Sequence, residues 1–221
     1  MNAETKHPYH HGDLRNSMLL AADEILARDG LQALTLRACA RAAGVSHAAP
    51  AHHFGDLRGL LTALSADSFT KLGDRTEAVR SAHRETPEKA FGALGLAYVG
   101  FAREFPDRFR LMMRRDIVDF ENETFKSAAL RCFTSMTNVI ALARGEPEVT
   151  LDELASRDEA DPLARDVVLT WSLIHGFAHL RTEGNFDPFA RHMGGDGFDE
   201  GVWDDIGRRI GALIAPSNQK V

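Results

Sequence analysis

The chain of 221 residues carries 26 Lys and Arg against 32 Asp and Glu, a formal net charge of −6, and 44% of its residues are hydrophobic. That is apolar enough for a packed core, which argues against global disorder, and acidic enough to exclude a uniformly basic nucleic-acid coat protein, though not a DNA-binding unit inside an acidic chain. Two cysteines, Cys39 and Cys132, cannot build a disulfide framework or a four-thiolate zinc site.

The opening residues MNAETKHPYHHGDLRN are polar, with no secretory signal. Residues 1–58 are charge-balanced and hold six of the ten histidines. Leu14, Met18, Ala21, Ala22 and Ile25 recur on one face and predict an amphipathic helix ending at Gly30. In Leu34–Phe54 (LTLRACARAAGVSHAAPAHHF), Thr35 is a suitable cap for a first helix and Ser46 for a second reaching about His53. Between them Ala40 is a small residue where two helices can touch, and Gly44 sits in the turn. This is the pattern of a helix-turn-helix, whose second helix enters the major groove; an ordinary helical hairpin satisfies the same spacing. Pro50 costs little if it falls in the first turn of that helix.

Further along, Leu57, Leu60, Leu61 and Leu64 open a longer helix running past Arg80. Pro87 starts another, with Phe91, Leu94, Tyr98, Phe101 and Phe105 on one side; Pro106 breaks it, and a short helix holds Phe109, Met112 and Met113. The longest apolar stretch, Ala93–Ala102, is glycine-interrupted and about half a membrane span. Helices are also predicted over about Glu123–Ala143, Pro162–Glu183 and Glu200–Ile214. Between them lie an acidic connection, Gly145–Asp161, with seven acids and one Arg, and a glycine-rich one, Gly184–Gly201. The first reads as exposed, with room for a short helix, and the second as loop-like. Alternating Val/Ile/Thr runs are missing, so the fold class is all-α.

YHHGDLR at Tyr9–Arg15, the block from Gly30 to Gly59 and the LLTAL that follows resemble the N-terminal domain of TetR-type (tetracycline-repressor-like) regulators. WSLIHGF from Trp171 to Phe177 resembles the Trp-x-x-x-His-Gly signature of one C-terminal branch of that family. The resemblance implies a three-helix DNA-binding head at residues 1–58 and a ligand-binding and dimerisation body at residues 59–221. It implies a cytoplasmic homodimer on a pseudo-palindromic double-stranded DNA operator, acting as a repressor released by a small-molecule effector. On this reading the DNA-contacting residues are Thr35, Arg37, Ser46, His47, Ala48, His52, His53 and Arg58. The chain departs from the family where Ala51 replaces the usual aromatic, His52 stands where a basic residue is common, and no Lys or Arg occurs between Arg41 and Arg58. The phosphate attraction that supplies most non-specific affinity is therefore weakened, and histidines that charge near pH 6.5 restore part of it as pH falls.

The body is rich in aromatic and Met side chains, which plain core packing also explains. Given the resemblance, part of this set walls a cavity, with Tyr98, Phe101, Phe105, Met112, Phe133, Asn138, Trp171 and His175 as ligand-binding candidates and an apolar or aromatic effector as the expected ligand. The last two long helices carry Leu163, Val167, Trp171 and Ile174, and Val202, Ile206, Ile210, Leu213 and Ile214. In the family these helices pair across the two-fold axis.

His175 and His179 are spaced i, i+4, a spacing that suits a metal but is not enough to assign one. No GxSxG, P-loop, GxGxxG or HExxH motif occurs, so an enzyme is not expected, nor a cofactor or membrane segment. Two alternatives stay open: a metal- or redox-responsive regulator of the same fold, and a helical interaction module that has lost DNA binding.

Overall fold

The computed structural model describes residues 14–46, 48–158, 160–193 and 195–214, which form α-helices and two short 3-10 turns with no strand among the described residues. The head holds α1 (Leu14–Asp29), α2 (Leu36–Ala42) and α3 (Ala49–Phe54), and α4 (Leu57–Ala82) leaves it as one unbroken rod into the body. The body adds α5 (Pro87–Glu104), α6 (Pro106–Leu111), α7 (Glu123–Arg144), α8 (Leu151–Ser156), α9 (Pro162–Thr182), α10 (Asp187–Met193) and α11 (Phe198–Ile214).

Local chemistry sets most helix starts. Thr35 Oγ1 accepts from Ala38 N at 3.0 Å, Asp56 from Gly59 N at 2.9 Å, Asn122 from Phe125 N at 3.1 Å and Asp161 from Ala164 N at 2.9 Å. Ser46 does not cap the second helix as its position suggests: that helix begins at Ala49, with Ala48 at the cap making no side-chain bond. Pro50 lies in its first turn, where a fixed φ and a missing N–H already suit a helix start without a hydroxyl. Gly44, at φ 67°, makes the turn between α2 and α3.

In the body, α4 runs against α7, and α5 lies among α4, α7, α9 and α11. Two close approaches fix this packing. The backbone of Gly73 on α4 faces Cys132 on α7, and Gly95 on α5 lies flat under the indole of Trp203 on α11, where a Cβ would collide with the ring. Arg181 of α9 and Arg103 of α5 both bind the buried Asp199 carboxylate at 2.9 and 2.8 Å, pinning the start of α11.

The acidic connection contains the short helix it has room for, and the glycine-rich one, read as loop-like, contains helix too. The acidic one holds α8, closed by a reciprocal Thr150–Glu153 capping box. Its charge is partly answered by Arg144 on Glu146 and Arg157 on Asp161. The glycine-rich one holds α10, with Phe186 packed 5.1 Å from the Phe177 ring.

The apolar residues expected to pair α9 with a second copy face inward instead. Leu163 and Ile174 are fully buried and Val167 and Trp171 half-buried, because α5 and α7 occupy that side. What α9 turns outward is a different stripe: Val168 and Leu169, each 61% exposed, with Leu173 and Leu180. On the same face, Gly176 has open space where a side chain would be.

Candidate DNA interface and effector cavity

On the head, Arg37 and Arg41 lie one turn apart and exposed on α2, and Ala48, Ala51, His52 and His53 are exposed on or just before α3. Pro50 is buried beneath them, so α3 presents a short solvent-facing edge of small and imidazole side chains. The rings of His52 and His53 stand 6.0 Å apart. Thr35 is exposed and engaged as the cap of α2, while Ser46 lies exposed in the turn. His47 lies outside the described residues. Arg58 is drawn elsewhere: its guanidinium donates to the Val118 carbonyl at 3.3 Å, in the body segment between α6 and α7. Asp119 N donates to Thr62 Oγ1 at 2.9 Å beside it.

In the body, an apolar cavity of about 10 Å³ lies between α4, α5, α7 and α9, room for at most about one water. Phe69, Leu72 and Thr76 of α4 form one wall, Cys132, Phe133 and Met136 of α7 another, and Tyr98, Met113 and Trp171 complete it. Rings meet edge to face around it, with Phe133 and Trp171 at 5.2 Å and Tyr98 and Phe109 at 5.9 Å. The Tyr98 hydroxyl is 2.9 Å from His175 Nδ1, and the Trp171 indole N–H points to the same oxygen at 3.4 Å. Thr76 Oγ1 sits between the Gly73 carbonyl at 2.9 Å and the Ser135 hydroxyl at 3.0 Å.

Burial sets the protonation of these groups. It raises the Tyr98 phenol, pushes the Cys132 thiol up to about 12 and, with His179 nearby, lowers the His175 imidazole. All three are neutral at pH 7. A thiol held protonated in this way is a poor redox sensor.

Of the expected ligand residues, Tyr98, Phe133 and Trp171 line this cavity, and His175 touches it through Tyr98. The others lie apart. Phe101 and Phe105 pack with tilted rings 5.4 Å apart under the Arg75 guanidinium. Met112 is fully buried at the end of α6. Asn138 clamps the chain before α8, donating to Val149 O at 3.1 Å and accepting from Val149 N at 2.8 Å. Leu72 and Thr76 are not among the expected ligand residues; their signal is the three-residue step from Phe69 to Leu72 and the four-residue step on to Thr76 along one face of α4.

Between head and cavity lies α6. Arg108, its side chain 3% exposed, pairs with Asp23 of α1 and with Asp67 of α4 at 2.6 Å. Burial alone pushes the Asp67 carboxyl up, but hydrogen bonds from Lys71 and Arg108 outweigh it and hold it below the usual carboxylate range. The next residue, Phe109, packs 5.0 Å from the His175 ring.

Among the described residues, no group of three or more His, Cys, Asp or Glu is placed to hold a metal ion. No helix among them is long and apolar enough to cross a membrane.

Residues 18–64 match the family model for bacterial regulatory proteins of the tetR family, and residues 91–202 match that for the tetracyclin repressor-like C-terminal domain. Among solved structures, a protein of unknown function from Rhodococcus sp. RHA1 is 28% identical, with a TM-score of 0.74 over 95% of this chain and 100% of its own. The TetR family transcriptional regulator PfmR from Thermus thermophilus is 19% identical, with a TM-score of 0.54 over 92% of this chain and 99% of its own. The multidrug binding protein EbrR, complexed with imidazole, is 14% identical, with a TM-score of 0.56 over 97% of this chain and 99% of its own. At such identities the last two share the fold. No curated protein sequence matches.

Proposed function

The chain belongs to the tetracycline-repressor family of DNA-binding transcriptional regulators, which are not enzymes, and from that premise we propose that it is a cytoplasmic homodimeric repressor released from its operator by a small apolar or aromatic effector. The observation that carries this reading is the position of α6. One of its residues is ion-paired to α1 in the head, and the next packs on the aromatic cluster around the cavity. An effector entering that cavity displaces its walls and through α6 shifts the head. Reversing a 99:1 preference for the DNA-competent state takes about 5.5 kcal/mol of differential affinity.

The outward stripe of α9, with Gly176 at its middle, supports pairing with a second copy. The exposed edge of α3, flanked by Arg37 and Arg41, supports insertion into a major groove. Selection of bound fragments from random duplex DNA at pH 6 and pH 7.5 tests the reading, with sedimentation velocity on the same protein. An enriched inverted repeat bound by a dimer is the expected result. A folded dimer that enriches nothing at either pH points instead to an interaction module, the reading favoured by the absence of Lys and Arg from 42 to 57.

A further inference from the structure

The hydrogen bonds inside the cavity wall dictate what an effector there can offer. An indole N–H only donates, so Tyr98 Oη accepts from Trp171. The same hydroxyl lies 2.9 Å from His175 Nδ1, and with that imidazole protonated on Nε2 it donates its own proton there. Thr76 is engaged with Gly73 and Ser135. The slack lies in one place: the Trp171 contact, at 3.4 Å, is well beyond the usual distance of about 2.9–3.0 Å for an N–H donor. A better-placed acceptor can take that proton at small cost to Tyr98. Among the described wall residues there is no Asp, Glu, Lys or Arg, so an ion entering the cavity would be buried without a partner.

We infer that the effector is a neutral, largely apolar molecule carrying one hydrogen-bond acceptor, a ketone, ester or ether oxygen, which takes the Trp171 indole N–H. The inference rests on the reading that this cavity is the effector site, and it adds the charge and the polar handle of the ligand. Entry requires the walls to part, and Met113 and Met136 supply the flexible side chains for that.

Isothermal titration of the full chain with four matched probes tests it: 2-acetonaphthone, 2-ethylnaphthalene, 2-naphthoate and 2-naphthylmethylammonium. The ketone is expected to bind about tenfold tighter than the hydrocarbon, the worth of one good hydrogen bond. Both ions are expected to bind at least about a hundredfold more weakly than the ketone. Trp171→Phe should bring the ketone down to the hydrocarbon, whereas Tyr98→Phe, which frees the indole N–H, should widen the gap. An ion binding as tightly as the ketone, or a ketone preference that survives Trp171→Phe and does not widen in Tyr98→Phe, overturns the inference while leaving the cavity as the effector site. Failure of all four probes to bind the folded wild-type chain overturns the cavity reading itself.

Discussion

Arg108 and Phe109 are neighbours on α6, yet Arg108 is ion-paired to Asp23 in the head while Phe109 lies 5.0 Å from the ring of His175 in the body. One peptide bond thus joins the contact that holds the head to the contact that borders the cavity. α6 is short and entered through Pro106, so the two side chains share one rigid turn and move together.

Arg108→Met removes the cation that both acids face. Breaking a fully buried pair costs about 3–5 kcal/mol, but Asp23 and Asp67 keep partial access to solvent, so a loss of about 2 kcal/mol is expected. For a chain of this size that lowers the melting temperature by about 4–8 °C. Arg110→Met, on an exposed pair with Glu183, should change stability by at most about 1 kcal/mol. Equal shifts in the two variants would show that the buried pair contributes nothing special.

The His175 imidazole is held below its ordinary value, by burial first and His179 second. It is neutral in both folded and unfolded states well above a pH of about 6.5. As pH falls through that value, the unfolded chain takes up a proton that the folded one resists, so stability present above it is lost below it. His175→Asn keeps an acceptor for Tyr98 and removes the titration. The urea midpoint should therefore fall less between pH 7.5 and pH 5.5 in the variant than in the parent. Identical falls would mean that His175 is not responsible.

Ala51 is exposed on α3, in a stretch without lysine or arginine. Ala51→Lys should tighten non-specific duplex binding and steepen the dependence of log K on log salt by about 0.9 per head, or about 1.8 for a dimer. An unchanged slope would show that this edge of α3 does not face phosphate.

Two glycines of α5 should respond oppositely to alanine. At Gly95 a Cβ would run into the Trp203 ring, so Gly95→Ala forces α11 outward and should cost about 2–3 kcal/mol. At Gly100 nothing lies within 4 Å, and Gly100→Ala should stabilise by about 0.5–1 kcal/mol through helix propensity alone. Paired thermal melts of the two variants check this; a loss at Gly100 or a gain at Gly95 would contradict the packing described.

The helices were legible in the sequence because their starts are written locally, in Thr35, Pro87, Asn122 and Pro162, and their faces in the spacing of apolar residues. Ser46 misled because Pro50 sets the start of α3 without a hydroxyl. The cavity was legible only in part. Aromatic residues signal bulk, but whether Phe101 faces the cavity or Arg75 depends on which helix crosses α5, and no local pattern records that. Asn138 shows the same limit, its amide taken up by the backbone of Val149. Likewise α9 carries apolar residues on both sides, and only the placement of α5 and α7 decides which stripe stays open.

The unbroken course of α4 also sets a mechanical gain. Its 26 residues, at about 1.5 Å each, make a rod about 39 Å long. Pivoted at Leu72 in the cavity wall, 15 residues or about 22 Å from Leu57, a tilt of about 9° swings the head end of the rod by about 3.4 Å, the rise of one base step. On the function proposed above, a modest tilt of this rod is therefore enough to put a seated head out of register with its half-site.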